Sequence, residues 1–330
     1  MHHVACPIRR AIQWPGGLRR TSGAIPVGSA CAPKERMGVS PAVRECFDGA
    51  MSIDAIALID EEAERLTTAL APLDPAQQVP TCPEWTAEDL LWHLTEVHEF
   101  WTRILGDHAT TDEQVRAIEE SIPPRPEQRP ALLQRRTAAT QGLLAQLSAR
   151  TDEEPAWFWY SKERTVGATR RMQVHEATIH RVDAELTAGR PLSPISPEVS
   201  AAGLEHVLRV MWPAGFEWIP DWASVHPVAA IEIRPDGGAV RLLGISRWSG
   251  TRPRDGKDFD APVGRLLENS ADADGLPRAT ASGSALALNL WAWGRGAALE
   301  HLADGPDTVE IQGDPEAVQQ LAALIAQGHD

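Results

Sequence analysis

The segment Val174–Glu185, VHEATIHRVDAE, holds two histidines and a glutamate in an order close to the zinc-protease signature H-E-x-x-H, with one residue too many. In the protease motif the histidines are four apart and share a metal. On a helix, five positions turn His180 by about 140° from His175, against about 40° for four, so His175 and His180 cannot serve one ion. Glu176 and His180 are the i,i+4 pair and stack on one helical face. A carboxylate beside an imidazole gives two ligands, and a catalytic zinc takes three with one position open. The third must come from another element.

Helix two is the candidate source. In TAEDLLWHLTEVHEFW, His93 falls in the apolar stripe of Leu90, Leu94 and Val97, whereas His98 is five positions on and points off that face. A buried imidazole needs a partner. Two readings stay open from the residues alone: a core histidine bonded to a backbone carbonyl, with Glu176/His180 an ordinary surface pair, or a metal triad of His93, Glu176 and His180.

The elements that would carry these residues follow from periodicity. Apolar residues at helical spacing run from Ser52, a plausible cap, to about Leu73. The stretch DPAQQVPTCPEW reads as a loop, and Thr86-Ala-Glu-Asp starts the second helix with a capping-box-like pattern. ALLQRRTAATQGLLAQLSA predicts a third helix from about Pro130 to Arg150, and a fourth runs from about Gly167 to Ala188. Four such helices within 51–190 predict an all-α four-helix bundle with one longer connection. RPLSPISPE marks a boundary. Beyond it VAAIEIRP and AVRLLGI flank Asp236-Gly237-Gly238, a hairpin signal. PRATASGS and DTVEIQGD read as strands, ALALNLWAWGRG and PEAVQQLAALIAQ as helices, so 191–330 is predicted to be a small α+β domain. There is no internal repeat.

Composition narrows the function classes. The chain has 330 residues, 43% hydrophobic, with a net charge of −15, which disfavours a nucleic-acid partner held through phosphates. Its apolar runs are too short for a membrane span. Cys6, Cys31 and Cys46 lie in the first fifty residues and Cys82 stands alone in the rest, so no thiolate zinc site is available and a reducing cytoplasm is expected. Residues 1–50 carry seven basic against three acidic side chains without periodicity. They read as a disordered extension, and Met51 as the expected translation start. Serine-elbow, phosphate-loop and dinucleotide-turn motifs are absent, which disfavours a serine hydrolase or a nucleotide enzyme.

VPTCPEWTAEDLLWHLTEVHEFW and RRMQVHEATIHRVDAE resemble the two signature segments of the mycothiol-dependent maleylpyruvate isomerase family, and the tail, ALALNLWAWGRG with VEIQGDPEAVQQL, is similar to that family's carboxy-terminal domain. The resemblance runs from about Ser52 to Gln327. It implies a DinB-like metal-binding bundle followed by a sterol-carrier-like module, with the metal triad on His93, Glu176 and His180. Zn²⁺ suits two imidazoles and a carboxylate. It also implies mycothiol as the thiol cofactor, bound between the domains, and an isomerase or S-transferase acting on a small electrophile. A metal-acidified thiolate would add to a conjugated double bond, permit rotation and leave. Arg295, in WAWGRG, is the candidate catalytic cation for substrate carboxylates, and Trp291 and Trp293 are candidate walls for the cofactor. His175, Arg181 and Asp183 flank the triad as candidate supports for its ligands, and Cys82 reads as a structural thiol. The alternative function is a non-catalytic protein that binds a metal and a small ligand.

Overall fold

The computed structural model describes residues 53–328, so the readings of residues 1–50 and of Ser52 as a cap lie outside the described residues. The first half is helical: α1 (Ala55–Leu70), α2 (Ala87–Gly106), α3 (Asp112–Ser121), α4 (Arg129–Ser148) and α5 (Val166–Thr187). Asp54 caps α1, its carboxylate accepting from the Ala57 amide. At α2 the expected capping box forms, Thr86 and Asp89 each accepting from the other's backbone N–H. The segment before it is not a plain loop. It forms a two-stranded hairpin, β1 (Gln78–Val79) with β2 (Cys82–Thr86). The helix α3 is an addition to the four expected, started by a second capping box of Thr111 and Gln114.

α1 packs along α5, and α2 along α4. α4 runs in the same direction as α2, since Arg129 at its start bonds Glu88 while Arg150 beyond its end donates to the Leu105 carbonyl at 2.8 Å. α3 lies in the connection that allows this.

The second half is α+β. After α6 (Pro197–His206), which starts inside the predicted boundary segment, come a π-helical turn at Val207–Met211 and a five-stranded sheet of order β5-β4-β3-β6-β7. Its strands are β3 (Ser224–Pro235), β4 (Arg241–Thr251), β5 (Asp258–Leu266), β6 (Arg278–Gly283) and β7 (Glu310–Gly313), antiparallel except for β3 with β6. The Asp236-Gly237-Gly238 turn joins β3 to β4, with Gly237 at φ +67°. α7 (Ala285–Ala292) follows β6, and α8 (Pro315–Ile325) packs across the strands. β5 is a strand beyond those expected, and it lies at the edge of the sheet, where a proline such as Pro262 is tolerated.

The apolar interior of the helical half is split. Leu66, Leu70, Leu90, Leu91, Leu94 and Leu132 form one cluster. Ile59, Val97, Phe100, Trp101, Leu143 and Leu147 belong to another, which continues through α5 into the sheet. On α1, α2 and α4 the break is occupied by buried polar residues: Glu62, Thr95, Glu96, Arg136 and Thr140. Along α5, Thr169, Gln173, Glu176 and His180 are all buried and spaced as one helical stripe. A polar layer inside a helical core costs stability unless its groups are matched, so its contents point to function.

Candidate metal centre

The structure brings His93, Glu176 and His180 together inside that layer. Their three donor atoms lie within 4.8 Å of one another, and all three residues are buried. Glu176 Oε1 is 3.0 Å from His93 Nε2 and 3.3 Å from His180 Nε2. Ligand atoms around a tetrahedral zinc with bonds of about 2.0–2.1 Å stand roughly 3.3 Å apart, so the spacing to the carboxylate suits a shared ion. The donor chemistry fits as well: two imidazoles and one anion form a borderline site.

The support behind His180 is explicit. Its Nδ1 donates to Asp183 Oδ2 at 2.9 Å, which leaves Nε2 as the atom facing Glu176 and His93. Asp183 is fully buried and also accepts from Thr81 Oγ1 at 2.5 Å and from Arg295, whose Nε and Nη2 grip Oδ1 and Oδ2 at 3.1 and 2.8 Å. Arg295, the candidate cation for a substrate, is thus itself buried and bound to a carboxylate of the protein. It also donates to the Trp293 carbonyl at 2.8 Å and lies 3.4 Å from the buried Sγ of Cys82 in β2.

The two candidate cofactor walls lie near Arg295 in the chain, on and just after α7. Trp293 is buried, donates to the Gly203 carbonyl at 3.3 Å and stacks on His206; Trp291 is half-buried against the main apolar cluster. The indole at the triad is that of Trp85, with its centroid 4.7 Å from the His93 ring and 5.9 Å from His180. Sequence reasoning missed this role, although Trp85 directly precedes the cap of α2. His175 faces away, as the five-residue spacing required, and packs against His206 with ring centroids 5.0 Å apart. Arg181 pairs with Glu62 and Glu185 and supports α5 rather than the triad. Next to Asp183, through Thr81, a cleft of about 670 Å³ opens between the two halves, lined also by Arg190, His301 and Leu302.

The charges follow the contacts. Burial pushes the Glu176 carboxyl up, but hydrogen bonds from His180 and His93 outweigh it and hold its pKa well below the usual range. Burial opposes charge on His180 too, yet bonds to Asp183 and Glu176 prevail and raise its pKa to about 9. In the metal-free protein a raised imidazole stabilises the fold fully below its ordinary value of 6.5, and that contribution is lost as pH rises through about 9. A metal needs the neutral ring, so its binding strengthens over the same window. Melting temperatures should therefore fall from pH 6.5 to 9 in the presence of a chelator, while the gain from added zinc widens. A gain that does not change with pH would remove His180 from the ligand set.

No curated protein matches the chain. It is similar to two solved structures, a mycothiol-dependent maleylpyruvate isomerase (15% identity, TM-score 0.45) and a histidine-to-alanine mutant of that enzyme (13%, 0.44), each match covering 82% of this chain and 98% of the other. Residues 56–185, the stretch that carries all three triad residues, match the model of the mycothiol maleylpyruvate isomerase N-terminal domain. These residues, 130 of the chain's 330, form a domain of that family.

Proposed function

We propose that His93, Glu176 and His180 hold one divalent metal, zinc by the character of the donors, and that the protein is a mycothiol-dependent isomerase or S-transferase acting on a small electrophile of the maleylpyruvate kind. The observation that carries this reading is the convergence of the three donors within 4.8 Å in the interior of a domain of this family. Bound there, the metal supplies Lewis acidity that turns a coordinated thiol into a thiolate near neutral pH.

The chain's own groups prepare that chemistry. Asp183 fixes the tautomer of His180, and Arg295 fixes Asp183, so residues from the second half set the orientation of a ligand in the first. Trp85 covers the imidazole rings and keeps water from their faces. The cleft between the halves is mostly apolar, with Thr81, Arg190 and His301 as the polar points on which a hydroxyl-rich thiol would be held. On this reading residues 51–190 are a DinB-like four-helix bundle and 191–330 a sterol-carrier-like domain. A cytoplasmic location accords with reliance on a reduced thiol.

The test is turnover of maleylpyruvate, followed by its ultraviolet spectrum, in zinc-loaded protein with and without mycothiol. Isomerisation that requires both is expected. Equal rates without thiol would overturn the thiol role, and a zinc-loaded protein inert toward maleylpyruvate and related electrophiles would overturn the enzyme reading.

A further inference from the structure

The polar layer holds a second set of groups that the metal triad does not use. Arg136 occupies a core position of α4, in the buried series Leu132, Arg136, Thr140, Leu143, Leu147, and its side chain is only 1% exposed. Nη1 donates to the Leu94 carbonyl at 3.3 Å and to His98 Nδ1 at 3.1 Å. Nε and Nη2 have no hydrogen-bond partner among the described residues. Burial alone draws its pKa down to about 9. Buried cations are normally matched by an anion.

The histidine that accepts from Arg136 is left with a buried donor of its own. An arginine only donates, so His98 Nδ1 accepts and the ring carries its proton on Nε2, which is likewise buried without a partner. His98 follows His93 on α2 by five residues, about 7.5 Å along the helix axis, and both are buried. Gln173, one turn before Glu176 on the inner stripe of α5, is fully buried with neither amide atom bonded, and Thr169 Oγ1 repeats this one turn further on.

The unfilled edge of Arg136 has a counterpart elsewhere in the molecule. Arg295 uses the same two atoms, Nε and Nη2, to grip both oxygens of Asp183. Arg135 grips both oxygens of Glu99 in the same way, each at 2.6 Å. A planar fork of this kind matches a carboxylate.

We propose that Arg136, with His98, forms a carboxylate-binding subsite in the helical core beside the metal triad, and that it receives a carboxylate of the small substrate. The naming of the ligand as substrate rests on the function proposed above; the anion site itself does not. Arg136 is then the residue that selects acidic over neutral electrophiles, held at the expense of stability in the ligand-free protein.

The test is calorimetric titration of the full chain with maleate, a small dicarboxylate, in metal-loaded and metal-stripped forms, with metal content and melting temperature measured on the same samples. Wild type should bind maleate in both forms. Arg136→Met should weaken binding by about tenfold or more, while metal content is unchanged and the melting temperature is equal or higher, because an unmatched buried charge has been removed. No heat with wild type, or equal affinity in Arg136→Met, would overturn the proposal. If the methionine variant does not fold, Arg136→Lys decides: it keeps the charge and loses the fork, so weakened binding supports the subsite and wild-type affinity rejects it. A wrong metal assignment would instead show as absent metal in every sample, whatever maleate does.

Discussion

Glu176→Ala, purified beside His93→Ala and His180→Ala, should retain essentially no zinc where the wild type holds about one equivalent. Each variant leaves two donors of three. Loss of an outer support typically weakens a metal site by roughly 10–100-fold, and removal of a ligand costs more than loss of its support. Glu176 should show the largest effect, since it is the anion of the triad and its oxygen is the atom nearest to both imidazole nitrogens. Elemental mass spectrometry after gel filtration reads the stoichiometry, and circular dichroism shows that the helices persist. A variant that still carries a full equivalent would strike that residue from the ligand set. A wild type that takes up no metal after reconstitution would end the metal reading altogether.

The triad was legible in the sequence because helical geometry is strict. The i,i+4 spacing of Glu176 and His180 and the place of His93 in an apolar stripe depend only on residues per turn. The same rule set His175 and His98 off the metal face, and both are off it. What they face instead was not legible, since partners on other helices depend on packing. His98 meets Arg136 on α4, and His175 meets His206 on α6. Arg136 was the hardest to read. In ALLQRRTAATQGLLAQL an arginine reads as part of a solvated face, and two adjacent arginines give no reason to choose one. Arg135 is the ion-paired partner of Glu99, and Arg136 is the buried one. Only the leucines on either side, at 132 and 143, mark the stripe to which Arg136 belongs.

Arg295 was legible in the sequence as a candidate cation, but its contact with Asp183 was not, and that contact supplies the second large effect. Asp183→Ala should destabilise the protein by about 3–5 kcal/mol, because it leaves the Arg295 guanidinium, 2% exposed, without its carboxylate. The same change removes the acceptor of His180 Nδ1 and should weaken zinc binding by roughly 10–100-fold. Asp183→Asn keeps the shape and loses the charge, so it should fall between wild type and alanine in urea unfolding. In the pair Asp183→Asn/Arg295→Met both charges are gone, and the loss should be smaller than the sum of the single losses. Additive losses would mean that the two side chains are not coupled in solution. Zinc affinity separates the two roles open to Arg295. A cation that met only substrate carboxylates would leave affinity untouched in Arg295→Met. One that positions Asp183, and through it His180, must change affinity with no substrate present, and the fork of 3.1 and 2.8 Å on Asp183 predicts this second result.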